Sequence, residues 1–356
     1  MEQLDLAQLW EQYHMTDLQG RLGSMFPAYS FSLEDMLSRI LSGDVIGAFS
    51  DALSQTFKGL TAQLAGMRNV LLYLILLGIV SALLAHFTEV FENHQVADMG
   101  FFLVYLFLMA VLLRCFKVAS AAAGEAMKGI LDFIRVFIPT YYVAVGISGS
   151  MVTAGAGYSI LLLLIYGIEK GFVCVLLPAV SSYVMLAVIN GIWPEERLGI
   201  LLDFLYKGIS MILNGVLGIV TGAGLLQSLI TPVIDSIKSS ALQKTVSMIP
   251  GIGNVADGVA EVVMGSAVLI KNSIGLLGVI LLFALSLAPL VKIFAICFCL
   301  KLGAALMGVS SDKRITGCTN KVGAGSFLVL KMTAEAMLLF ILVIAVTAYT
   351  TSRGYI

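Results

Sequence analysis

The chain has 356 residues, of which 59% are apolar and 12% charged, whereas soluble domains carry about 25% charged residues and a single core stops growing with chain size. Lys and Arg number 21 against 22 Asp and Glu, a net charge of −1 with no basic stripe, which excludes nucleic acid as a partner. These figures exclude a water-soluble enzyme and predict an all-α polytopic membrane protein of about six to eight transmembrane helices.

Residues 1–66 hold eight acidic residues against Arg21, Arg39 and Lys58, a net of −5, while the remaining 290 residues carry +4. No stretch before Arg68 is apolar enough for the roughly 20 residues that a membrane crossing needs, so 1–66 is expected as a small, water-facing helical segment. Ser32 followed by Asp35 resembles a capping box. Leu33, Met36, Leu37, Ile40 and Leu41 then form one apolar stripe, and after a break at Gly43-Asp44, Ile46, Phe49, Leu53, Phe57, Leu60 and Leu64 repeat it. Such a unit either packs on itself and the membrane surface or docks partner proteins.

Residues 67–135 read as two spans, Val70–Phe87 and Met99–Phe116, followed by an amphipathic helix over 117–135 lying along the interface. Further apolar runs lie near 136–168, 171–192, 208–231, 273–309 and 327–350, and Pro289 with Lys292 interrupts the one at 273–309.

Ile138-Pro139 recurs as Ile249-Pro250 and Pro178 as Pro289, an offset of 111 residues. This divides the membrane part into candidate repeats, 136–246 and 247–356, with chance alignment of four prolines as the alternative. Three crossings per unit would invert the second copy. The Gly-rich stretches after Pro139 and Pro250 are expected as re-entrant hairpins lining a pore or substrate path, because irregular backbone at membrane depth must be buried in protein or face a wet cavity. The alternative is an ordinary small-residue span at 140–157 and an interfacial helix at 251–272. The candidate path residues are Gly146, Ser148, Gly149, Gly155, Gly251, Gly253, Asn254, Asp257, Glu261 and Lys292.

Ionisable groups inside spans are functional candidates by default. Lys331 and Glu335, four apart on a helix, read as a structural pair, as do Asp203 and Lys207. Lys271, Lys292 and Lys301 have no local partner in the sequence, and Lys292 is the leading candidate for a water-facing charge. Gly215, Gly218 and Gly222 fit a close helix-packing motif.

Catalysis finds little support. Gly146-Ile147-Ser148-Gly149 matches a GxSG serine motif, but no histidine follows residue 94 to serve as base. No nucleotide-binding motif of Walker form is present. The cysteines are few and odd in number, Cys297 and Cys299 point to opposite sides of a helix, and the three histidines make a zinc site improbable; no metal or cofactor is expected. Lys and Arg cluster at 114–135 and 313–331, so the orientation stays open.

Several segments, taken in order, resemble one family. They are SFSLEDMLSRILSGD (30–44), AAAGEAMKGILDFIRVFIPTYY (121–142) with its Gly-rich sequel, AVSSYVMLAVINGI (179–192) and LSLAPLVKIFAICFCLKLGAALMG (285–308). Together they are similar to the stage III sporulation protein AE family of endospore-forming bacteria. The resemblance implies an integral protein of the mother-cell membrane around the forespore, working with other stage III A proteins, among them a secretion-type ATPase and ring-forming subunits. In that setting the chain is expected to be a homo-oligomeric conduit or core platform of the channel joining the two cells. Residues 1–66 would face the intermembrane space. Family precursors carry a cleavable signal peptide, and the opening MEQLDLAQLW lacks one, so Met1 is expected to follow its removal. A stand-alone secondary transporter for small solutes and a non-conducting scaffold are the alternatives.

Overall fold

The computed structural model describes residues 15–25, 32–54, 56, 72–73, 76, 79–80, 94–147, 163–193, 197–246, 253–308 and 313–352, with side chains except those of 25, 94–98, 226–246, 253–264 and 349–352. All regular structure among these is helical: α1 Met15–Met25, α2 Leu33–Leu41, α3 Val45–Ser54, α4 His94–Ile147, α5 Leu163–Asn190, α6 Gly199–Val246, α7 Gly253–Met307 and α8 Lys313–Ser352. Five of them, α4 to α8, are long and apolar enough to cross a membrane. The span expected at Val70–Phe87 lies largely outside the described residues. Its described members Leu72, Tyr73, Leu76, Ile79 and Val80 are helical and exposed.

The five long helices alternate in direction. Tyr105 on α4 donates to the Val188 carbonyl near the end of α5, and Arg135 lies 2.6 Å from the Tyr166 hydroxyl near its start, so α4 and α5 are antiparallel. Phe137 rests on Gly278 and Tyr141 on Gly275, which makes α7 antiparallel to α4. Phe340 meets the rings of Phe133 and Phe137, while Arg314 covers Phe101 at 3.6 Å, so α8 runs with α4. Lys331 bonds Asn214 and Val346 packs on Gly224, so α6 runs with α8. The connections α4–α5 and α6–α7 therefore sit at one end of the bundle, and α5–α6 and α7–α8 at the other.

Three expectations change here. Residues 117–135 are not a separate interfacial helix but the middle of the 54-residue α4. Leu112, Ala119, Ala123, Met127, Ile130, Phe133, Phe137 and Tyr141 continue one buried stripe through them, and that unbroken register leaves no reason for the helix to stop. The 273–309 run likewise forms one helix, since α7 passes through Pro289. The 111-residue offset pairs α5 with α7 and α6 with α8, and each pair runs in the same direction. Among the described residues the offset pairs two helices with two, and their shared direction is that of a direct rather than an inverted arrangement.

The N-terminal helices belong to the same core. Ser32 caps α2 by accepting the Asp35 N–H at 3.4 Å, and Gly43, at φ +88°, ends the turn. Leu33, Met36, Leu37 and Ile40 are buried, and α2 packs against α7 while α1 packs against α4. The second stripe falls differently: Ile46 is 84% exposed, and α3 buries Ala48 and Ala52 instead. These small residues bring the segment close to α7, where Phe49 meets Phe283 at 5.5 Å and Thr56 bonds the Ala284 carbonyl at 3.3 Å. The charges stay outside: Arg39 joins Asp35 at 3.2 Å and Asp51 at 3.1 Å.

Candidate functional site

Lys292 is half-buried and lines a cleft of about 260 Å³ between α4 and α7. The space follows from the residues on each side. Helix α4 presents Ala122, Ala126 and Gly129, one turn apart and too small to fill the gap, and α7 answers with Ser286, Pro289 and Lys292. Pro289 has no N–H to donate, so the Leu285 carbonyl four residues back loses its helical partner. Glu125 stands on the α4 wall and is exposed. The cleft thus combines a carboxylate, an ammonium, a buried hydroxyl and a freed carbonyl on an otherwise apolar floor.

The other residues predicted from sequence that are described do not gather around Lys292. Gly146 lies in the last turn of α4, with open space about it, about 20 residues or roughly 30 Å along the helix from the cleft wall. Ser148, Gly149, Gly155 and Gly251 fall outside the described residues. Gly253, Asn254, Asp257 and Glu261 occupy the first turns of α7, with Asp257 and Glu261 four apart on one face. From Gly253 onward the second expected hairpin is the start of this uninterrupted helix. In the first, Pro139 lies inside α4, which stays helical to Ile147. The described parts of both Gly-rich segments nevertheless lie at the same end of the bundle, where α4 ends and α7 begins.

Lys331 and Glu335 approach to 3.7 Å on α8, and Lys331 also bonds the Asn214 side chain on α6. Lys301 bonds the Asn320 carbonyl at 3.3 Å and its side-chain oxygen at 2.7 Å. Lys271 is fully buried, one turn before the Gly275–Tyr141 contact.

Sequence reading passed over Glu169. It is 0% exposed on the buried face of α5, between Ile165 and Phe172, and neither carboxyl oxygen has a hydrogen-bond partner among the described residues. The helix then takes a π turn over Phe172–Leu176, in which Leu177 N–H reaches back to the Phe172 carbonyl, just ahead of Pro178. Such turns occur often at functional sites. The available signal was the lone acid in the apolar run 160–177, which the adjacent Lys170 disguises as the end of a span.

The described residues contain no grouping of His, Cys, Asp and Glu fit for a metal, and their five cysteines are free thiols.

Comparison with known proteins gives one consistent result. The family model for stage III sporulation protein AE matches residues 31–351. A Bacillus subtilis (strain 168) protein called stage III sporulation protein AE is 24% identical over 335 residues, covering 93% of this chain and 82% of the relative. No solved structure matches.

Proposed function

We propose a role from one premise: the chain belongs to the stage III sporulation protein AE family and so has a role in sporulation. In our reading it is the membrane core platform of the channel complex joining mother cell and forespore, and it assembles as a homo-oligomer with the other stage III A proteins, including the secretion-type ATPase and the ring-forming subunits. It sits in the mother-cell membrane around the forespore and carries out no catalytic step.

One observation favours a platform over a single-chain transporter. The centre of the bundle is filled: Phe133, Phe137, Tyr141 and Phe340, all fully buried, close the seam where α4, α7 and α8 meet. Ring stacks of this kind pack at interior density, which closes this seam to water. A conduit built from this protein therefore runs between copies, and the apolar faces bearing Phe102, Phe107, Phe204 and Met211 are available for lipid or for neighbouring subunits.

Particle imaging of the full chain in lipid nanodiscs tests the reading. A closed ring around an opening is the expected result; a monomer with an enclosed central site would return the protein to the transporter class. Asp257→Ala with Glu261→Ala separates conduit from scaffold, since a non-conducting scaffold loses neither flux nor sporulation.

A further inference from the structure

Five of the buried hydroxyls in these helices share one pattern. Ser273, Thr319, Ser326, Thr333 and Thr347 each donate to the carbonyl four residues back, at 2.8 to 3.1 Å. Ser286 departs from it. The residue is 2% exposed, its Oγ has no partner among the described residues, and it lines the α4–α7 cleft. A buried hydroxyl without a partner is costly, so this one is placed for something that enters the cleft. Beside it on the wall is Leu285, whose carbonyl receives no helical hydrogen bond from Pro289 because proline has no N–H.

The charges in the cleft make a similar case. Glu125 and Lys292 line the same space from opposite walls, yet neither forms an ion pair or hydrogen bond among the described residues. Two other lysines of the long helices do find partners, Lys301 with Asn320 and Lys331 with Glu335 and Asn214. An unpaired carboxylate and an unpaired ammonium across a gap of about 260 Å³ are complementary to a molecule carrying the opposite charge at each end. The volume is below that of a typical drug-sized site, and the floor of Ala122, Ala126 and Gly129 accepts only a short apolar portion.

We propose that this cleft binds a small zwitterion. Its anionic group pairs with Lys292, and its ammonium group lies between Glu125, the Ser286 hydroxyl and the Leu285 carbonyl. Two sources present this chemistry, a free amino acid and the head group of phosphatidylethanolamine. The proposal does not depend on the channel reading and stands or falls separately from it.

The test uses the full chain in nanodiscs of phosphatidylglycerol and follows its thermal unfolding, since a ligand bound only by the folded state raises the transition. In one arm alanine is titrated, with acetate and methylammonium as single-charge controls. In the other, phosphatidylethanolamine replaces part of the lipid. A saturable rise is expected in one arm and identifies the source. Lys292→Gln and Glu125→Gln should each abolish it, and Ser286→Ala should weaken binding about tenfold, as loss of one hydrogen bond to a charged group implies. Glu125 is exposed, so Glu125→Gln remains informative even if Lys292→Gln does not fold. No rise in either arm overturns the proposal, as does a rise that survives Glu125→Gln. An equal rise with acetate alone makes the cleft an anion site and rejects the zwitterion.

Discussion

Lys331 spans two elements, bonding Asn214 on α6 while lying 3.7 Å from Glu335 on its own helix. Glu335 is 4% exposed, and its second oxygen has no partner among the described residues. Removing Lys331 would leave that carboxylate buried without compensation, which costs about 3–5 kcal/mol for a fully buried pair. The Lys331 side chain is 26% exposed, so solvent softens the loss, and Lys331→Met should destabilise by about 2 kcal/mol. Adding Glu335→Met should restore most of the loss, because both desolvation penalties then disappear. Thermal unfolding of the single and double variants checks this, and a double variant less stable than the single one would refute it. The sequence showed half of this site: spacing of four placed Lys331 over Glu335, but nothing local pointed to Asn214, 117 positions away. Glu169 was less visible still, because burial is a property of the neighbours and not of the residue.

At the scale of the element, glycine shows how spacing and contact diverge. Gly215, Gly218 and Gly222 have the packing spacing, yet a Cβ at any of them would meet nothing within 4 Å. Tight approaches inside the long helices α7 and α8 are at Gly325, where a Cβ would collide with Val184, and at Gly278, where it would enter the Phe137 ring. Each lies where α8 or α7 crosses a bulky residue of another helix. Gly325→Ala should therefore destabilise by about 1–3 kcal/mol through overpacking. Gly218→Ala should stabilise by about 0.5–1 kcal/mol, the ordinary helix-propensity gain. Unfolding of the two variants in detergent separates them, and equal shifts would mean that crossing distance does not decide the outcome. The spacing motif failed because 35 glycines in the chain generate it repeatedly, and only the facing helix selects which copies are used.

For the whole molecule, the alternating directions fix which ends lie together. The α5–α6 and α7–α8 connections share one end, which carries Arg197, Lys313 and Arg314, and loops rich in Lys and Arg stay on the cytoplasmic side. The N-terminal helices meet α7 at Phe283 and Ala284, close to its middle. In a cysteine-free background, Arg197→Cys and Lys313→Cys should both react with an impermeant thiol reagent from the cytoplasmic face, and Gly253→Cys from the other. Labelling of Arg197→Cys and Lys313→Cys from different faces would contradict the alternation.

The sequence by itself determined that this is an apolar, helical, membrane-spanning chain, where α2 begins and ends, and which family it resembles. Those properties follow from composition, period and capping, which are local and additive along the chain. Only the tertiary structure decided that 117–135 continues α4, that the offset units run the same way, that Ala48 and Ala52 rather than Ile46 face the core, and that Ser286 and Lys292 open onto one cleft with Glu125. Each of these depends on which surface a neighbouring helix presents. Inside a bilayer several faces of an apolar helix can be buried at similar cost, because lipid tails are as apolar as a protein core, so hydrophobic pattern alone cannot choose among them. Helix-to-helix packing makes that choice.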